Sequence, residues 1–468
     1  SASSYLPVLT APVSNTSPGL RPEEGFFTVD APCPAPGAED DVWASADCRG
    51  FRAHAWSATE YLLDVYGTDG LRSLAAAWGA EGVARAFQEG LGVSLGTFAA
   101  GWKASRLDPL REVGDGVREA TALRRQALIE GDEAGFLRTV SQADPWVEDA
   151  ERCRFAALTG WPTASRVLTH SVDATVVGWA PEKDEALVSL RTTTVLSGHS
   201  PAEVTYPARF VREQAGWRYA GQEHATYESE HFVLHLPPGE QGRGDDILAS
   251  AEGIYDQIVA DLEAEPSLPQ TIVVYPDEAQ FRHAVAYTVP EGEDSWTAEG
   301  QPIRVWEGVG RGQSLEAAIA RELACQVLYA KGVESGWIRA GIGALEADRV
   351  SPLGVHWGAA TRETMVREAL ASRELLSWDE LDAFDTLAPE DLTLARAQAW
   401  SWADKFVRDH GRSGLRRFLH ELTTLDDPGA ALEVAFGLTP ETFVEQWEDD
   451  VQAYSPLSDL ATMARRFD

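Results

Sequence analysis

Apolar residues recur along this chain with two periods, and the changes of period mark out its elements. Helical spacing, with apolar positions three and four apart, runs over 51–106, over 114–142 and again over 395–447. Alternation of apolar and polar residues takes over in SRVLTHSVDATVVGWA (165–180), ALVSLRTTTVLSG (186–198) and AEVTYPARFVREQAGWRYAG (202–221). Turn residues separate these runs, which predicts helices followed by a curved antiparallel sheet. Beyond Ser229 the pattern is mixed. FVLHL, TIVVYPDEAQFRHAV and PIRVWEGVG predict strands and 245–265 predicts a helix, an α+β order with an antiparallel-type sheet beside helices. The most apolar helix is predicted over Leu315–Ala330, where Leu315, Ile319, Leu323 and Val327 follow at four-residue steps with alanines beside them. A helix apolar nearly all round is a buried one. At the other extreme, residues 1–42 are rich in Pro, Ser and Gly and predict an extended lead-in.

The two outer helical stretches match each other. FRAHAWSATEYLLDVYGTDGLRSL (51–74) aligns with ARAQAWSWADKFVRDHGRSGLRRF (395–418). Ala55-Trp56-Ser57 meet Ala399-Trp400-Ser401, Gly67 meets Gly411, and Gly70-Leu71-Arg72 meet Gly414-Leu415-Arg416. After a one-residue shift, Gly92, Phe98 and Trp102 meet Gly437, Phe443 and Trp447. Agreement at one offset points to an internal repeat. Its content is helix, glycine, helix, then a glycine-led turn into a last helix whose Phe and Trp share a face. On this reading the fold class is multidomain α+β. It comprises a lead-in (1–42), a helical unit (43–106), an α+β unit (107–225), a second α+β unit (226–393) and a helical tail (394–468) that repeats the first.

At 468 residues, 44% of them hydrophobic, the chain is long enough for several domains with cores of their own. A formal net charge of −35 repels phosphate and anionic lipid, so neither a nucleic-acid nor a membrane-surface partner is expected. No apolar run is long enough to span a bilayer. The first residues lack the charged-then-apolar pattern of a signal segment, and an extracytoplasmic protein whose signal has been removed is expected. Four cysteines are too few for a disulfide scaffold. Cys33 and Cys48 flank a loop-like acidic stretch and are expected to pair if the protein is exported, a closure worth roughly 3 kcal/mol. Cys153 and Cys325 are expected to be buried free thiols.

Two parts of the chain resemble known families. Residues 115–222, with helices meeting at Gly131-Asp132 and a meander closing on GWRYAG, resemble the cone-shaped domains of the nuclear transport factor 2-like (NTF2-like) superfamily. Such cones host enzymes, ligand pockets or plain spacers, so this resemblance implies no particular activity. His170, on a strand there, reads as a structural histidine. The stretch IARELACQVLYAKGVESGWIRAGIGALEA (319–347), with the order of elements from His231 to Val451, resembles the gluzincin metallopeptidases of the peptidase MA-like type. In that family a HExxH helix carries two zinc-binding histidines with a general-base Glu between them, and a second helix opening on Trp supplies a ligand Glu. RELAC (321–325) stands in the place of HExxH and WIRAGIGALE (337–346) in that of the second segment. LLSWDELDAF (375–384) is similar to the acidic helical segment that follows, and the AWS…G…F…W repeat to the helical tail.

The departures from that pattern carry the functional expectation. Arg321 and Cys325 stand where the histidines belong and Ala340 where the ligand Glu belongs, while Glu322 keeps the general-base position. The resemblance therefore implies a non-catalytic relative without metal or cofactor, acting as an extracytoplasmic binding or structural protein with a protein or peptide partner. Arg321, Glu322, Trp337 and Arg339 are its candidate cleft residues. Two alternatives stay open: a hydrolase with an atypical site around Glu322 and Cys325, and a small-molecule binder working through the NTF2-like cone. Other chemistries lack their residues. None of the ten histidines forms a HxxxH pair on a helix, and His231 and His235, four apart on a predicted strand, are separated by roughly 13 Å. His356 stands alone, no GxSxG elbow occurs, and GVGRG (308–312) lacks the GK[ST] ending of a phosphate loop. Because Glu322 lies on a buried helix, its charge needs a partner. Arg321 is expected to supply it, with Arg339 as the second candidate.

Overall fold

The computed structural model of the chain describes residues 6–7, 46–78, 82–160, 167–196, 200–240, 242–287, 289, 293–306, 314–350, 355–387 and 391–453. The expected Cys33–Cys48 pair, the side chains of Trp56 and His356 and the GVGRG stretch lie outside the described residues. The chain divides into two compact units, Ser1–Glu223 and His224–Asp468.

The first unit begins with α1 (Ala46–Ala77), α2 (Val83–Leu91) and α3 (Leu95–Trp102), whose core holds Leu62, Leu74, Phe87, Phe98 and Trp102. A π-helical turn, Lys103–Leu107, carries the helix without a break from α3 into α4 (Asp108–Glu130), so residue 106 lies inside one continuous helical run. Gly131 ends α4 in a left-handed conformation, and Asp132 caps the short α5 (Glu133–Leu137) by accepting from the Gly135 N–H. After α6 (Pro145–Gly160) come β2 (Val167–Ala180), β3 (Glu185–Leu196), β4 (Ala202–Glu213) and β5 (Gly216–Gln222). They pair as an antiparallel meander with β1 (Leu6–Pro7) on its edge. The alternation in the sequence explains the burial. Val204, Tyr206, Ala208 and Phe210 of β4 turn inward onto Val113, Val117 and Ala120 of α4.

In the second unit, β6 (Ala225–Glu228), β7 (Phe232–Leu236), β8 (Gln270–Tyr275), β9 (Ser295–Trp296) and β10 (Ile303–Trp306) form a sheet in the order β6-β7-β8-β10-β9. Its centre is parallel, β7 with β8 and β8 with β10, and its edges are antiparallel. This corrects the antiparallel-type sheet expected from the sequence. Helix α7 (Gly244–Leu262) connects β7 to β8 as a crossover, which is what parallel neighbours require. The run TIVVYPDEAQFRHAV also divides. β8 stops at Tyr275, and Asp277 accepts from the Gln280 N–H to cap α8 (Glu278–Ala284). Behind the sheet stand α9 (Leu315–Ala330), α10 (Gly336–Val350), α11 (Val355–Ser372) and α12 (Trp378–Asp382). The tail follows as α13 (Leu392–Leu425), α14 (Pro428–Phe436) and α15 (Pro440–Ala453). Trp337, Trp378 and Trp402 meet ring to ring at 5.2–5.6 Å in this core. No helix among the described residues is long and apolar enough to cross a membrane.

The matched helical stretches fold alike. α1 breaks at Gly67 (φ 67, ψ −177) and α13 at Gly411 (φ 66, ψ 179), a backbone combination open to glycine and to almost no other residue. α2 ends on Gly92 and α14 on Gly437, both left-handed with φ 71. The Trp102 indole N–H donates to Ser57 Oγ at 3.2 Å, and that of Trp447 donates to Ser401 Oγ at 2.9 Å.

Candidate functional site

The site is built where α9 crosses the edge of the second sheet. Ser314 caps α9 by accepting from the Ala317 N–H, and the apolar residues that follow bury the helix against the sheet. α10 lies close enough that a Cβ at Gly343 would meet the Arg321 carbonyl at 2.9 Å. One at Gly341 would run into the Ala399 carbonyl of α13. The GIG of the second segment is therefore the contact that sets α9, α10 and α13 side by side. Gln326 fixes the sheet edge from the other side. Its amide donates to Thr297 Oγ1 and to the carbonyls of Ala298 and Gln301, at 2.5–3.1 Å, pinning the turn between β9 and β10 onto α9.

The strand that leads into that turn presents Asp294, directly before β9, and Ser295, its first residue, to Arg321. The guanidinium pairs with Asp294, reaches Glu322 Oε1 at 3.2 Å, and donates to Ser295 Oγ at 3.1 Å from Nε. Ser295 Oγ in turn donates to Glu322. Glu293 pairs with Arg396 at 2.5 Å beside this cluster. Burial opposes the Arg321 charge, and the carboxylates of Asp294, Glu322 and Glu293 more than offset it, holding its pKa above the ordinary guanidinium value. Burial also raises the Glu322 pKa, and the Arg321 charge with the Ser295 hydrogen bond pulls back part of that rise. The Cys325 thiol is pushed up to about 12, by burial first and then by the Glu322 charge, and it donates to the Arg339 carbonyl at 3.6 Å. A thiol held there is protonated at neutral pH and is a poor nucleophile and a poor ligand.

Arg321, Glu322, Cys325, Arg339 and Ala340 all line one cavity of about 480 Å³, with Tyr329, Phe384 and Arg396 on its walls. Two expectations need correction. Trp337 is 1% exposed and packs in the tryptophan core, so it is not a cleft residue. Arg339 does not serve Glu322. It donates to the carbonyls of Val333 and Glu334, pairs with Asp385 at 3.2 Å and lies over the Tyr329 ring at 4.4 Å. The counter-charge to Glu322 is Arg321, the first candidate. Asp294, Ser295, Arg396 and Gln326 were not singled out from the sequence. The acidic pair Glu293-Asp294 directly before a strand is the signal that could have drawn attention to the first of them.

The zinc that the gluzincin resemblance implies does not fit these residues. A guanidinium locked between two carboxylates repels a cation at the first ligand position, the second offers a protonated thiol, and the third offers a methyl group. Among the described residues, no group of three or more His, Cys, Asp or Glu side chains could hold a metal ion. His231 and His235 have other partners: His231 Nδ1 lies 2.6 Å from Glu252 and the ring stacks on Tyr255, while His235 Nδ1 lies 3.2 Å from Thr226 Oγ1.

The first unit holds a second buried polar cluster that the sequence did not reveal. Glu151 of α6 pairs with Arg124 of α4 and, at 3.4 Å, with Arg154. Burial would raise the Glu151 pKa, and the two guanidinium groups lower it below its ordinary value. Arg124 also lies 4.0 Å from the Phe136 ring centroid and 4.6 Å from that of Tyr219. His170 Nδ1 meets Thr194 Oγ1 at 3.0 Å, and burial, followed by the charges of Arg154 and Arg124, brings its pKa down to about 3. It is neutral throughout the physiological range. Neither a protein-family model nor a curated protein matches this chain.

Proposed function

We propose that the chain is a non-catalytic relative of the peptidase MA-like gluzincins that works by binding an extended protein or peptide segment outside the cytoplasm. In this reading residues 226–393 are a degenerate gluzincin domain, 394–468 its helical tail, and 107–225 an NTF2-like cone. One observation carries it. Arg321 is held by Asp294 and Glu322 in the wall of a cavity that Cys325 and Ala340 also line, which supports reading it as a fixed cation among the positions that the resemblance assigns to the family's metal. Four guanidinium groups and four carboxylates line that cavity together with Tyr329, Phe384 and Met365, a surface with donors, acceptors and apolar area for a polypeptide. A second reading, a small-molecule site inside the cone, is favoured by the convergence of Glu151, Arg124, Arg154 and His170 on its interior.

The test pairs metal content with cleavage. After incubation with zinc and dialysis, the chain should retain substoichiometric zinc and leave denatured casein intact. The Arg321→His, Cys325→His, Ala340→Glu triple variant should gain zinc binding. Stoichiometric zinc in the unaltered chain, with casein cleavage lost in Glu322→Gln, overturns the reading.

A further inference from the structure

Among the described residues, each charged side chain that lines the cleft already has its opposite beside it. Four helices supply one guanidinium apiece: Arg321 from α9, Arg339 from α10, Arg362 from α11 and Arg396 from α13. Arg321 pairs with Asp294 and Glu322, Arg339 with Asp385 at 3.2 Å, and Arg396 with Glu293 at 2.5 Å. Arg362 pairs at 2.5 Å with Asp348 of α10, which also accepts from the Trp400 indole N–H. The four carboxylates in the wall, Glu293, Asp294, Glu322 and Asp385, are all taken by these pairs. The balance is local, because the chain as a whole carries a formal net charge of −35. A charged group that enters such a cleft gives up its hydration and finds every counter-charge engaged. An uncharged segment keeps its peptide groups among donors and acceptors and lays apolar side chains against Tyr329, Met365 and Phe384.

We infer that the cleft selects uncharged polypeptide, a segment without Asp, Glu, Lys or Arg along the length that lies in the cavity. The inference rests on the reading of the cleft as a peptide site and adds the selectivity of that site. It also separates two attractions. The acidic exterior draws basic peptides toward the molecule by a long-range field that salt screens. Recognition inside a charge-balanced cleft does not depend on salt in that way.

The test is a peptide array probed with the full chain at high salt. The peptides are blocked at both ends, so that side chains alone carry charge. Bound sequences should be depleted in Asp, Glu, Lys and Arg. The best uncharged binder, titrated in solution, should change its affinity by less than about 2-fold between low and high salt. At high salt, its analogues with one central residue changed to Asp or Lys should bind about 10-fold more weakly. Asp385→Asn, at an exposed position, takes from Arg339 its carboxylate. It should improve the Asp analogue by about 3-fold relative to the uncharged parent and leave the Lys analogue no better. Charged analogues that match the parent at high salt, parent binding that collapses with salt, or an unchanged preference in Asp385→Asn overturns the inference and leaves a peptide site standing. An array on which no peptide binds overturns the peptide reading itself, and this inference with it.

Discussion

The two helical copies share a skeleton and differ in what fills it. Each turns at a glycine that no other residue replaces easily, closes its second helix on a left-handed glycine, and ties its last helix to its first through an indole N–H and a serine hydroxyl. The filling is another matter. Where the first copy places Ala58, Leu62 and Leu74, the second places Trp402, Phe406 and Phe418. Trp402 then joins Trp337, Trp378, Phe443 and Trp447 in a continuous aromatic core. A handful of backbone-determining residues thus preserves the shape, and the apolar side chains between them decide how much surface the shape buries.

That contrast can be broken most directly at the last tryptophan. Trp447→Ala should cost about 3–5 kcal/mol in urea denaturation of the second unit, the range for a large buried side chain. Trp102→Ala should cost less, because Trp102 is 7% exposed against 1% for Trp447 and is not part of the tryptophan core. Equal losses would mean that the aromatic core adds nothing to the second copy.

Acid should separate the units next. The His170 pKa of about 3 lies below its ordinary value, so the stability its neutral form provides is present above pH 6.5 and is lost as pH falls toward 3. At pH 4.5 the loss amounts to about 3 kcal/mol in the first unit, and His170→Leu should remove it. Glu322 runs the other way. Its raised pKa makes its contribution complete below the ordinary carboxyl value and lost as pH rises through the raised one. Hydrogen exchange at pH 4.5 should therefore show the first unit opening before the second, and the reverse order would refute the assignment.

The smallest effects should be the most alike. A Cβ at Gly67 meets nothing within 4 Å, and one at Gly411 meets only Ser413 Oγ at 4.0 Å. Alanine at either position pays for backbone strain alone, roughly 1–3 kcal/mol. Calorimetry of Gly67→Ala and Gly411→Ala should give matching losses, and a clear mismatch would show that the two breaks are not equivalent.

Periodicity made some of this molecule legible. The bounds of α9, Leu315–Ala330, follow from its four-residue apolar steps and Ser314 before them, and the break at Gly131-Asp132 follows from its cap chemistry. The inward face of β4 follows from alternation. The parallel centre of the second sheet was not legible, because strand direction depends on the crossover between strands and not on the pattern within one. Nor were the partners of buried charges. Asp294 and Ser295 stand 27 and 26 residues from Arg321 and reach it from the start of β9, the edge strand whose following turn Gln326 anchors. Trp337 opens the second segment as the resemblance implies, yet its indole is taken by two other tryptophans that no local spacing announces.

Arg321 has one further consequence. A cation borrowed from solution enters by mass action, so the order it imposes rises and falls with the supply of the ion and can be stripped by a chelator. The guanidinium of Arg321 is tethered by the main chain within reach of Asp294 and Glu322, and its local concentration is set by a handful of bonds. The wall of the cleft is for that reason indifferent to scarcity: every chain carries its own counter-ion from the ribosome onward, in one-to-one stoichiometry.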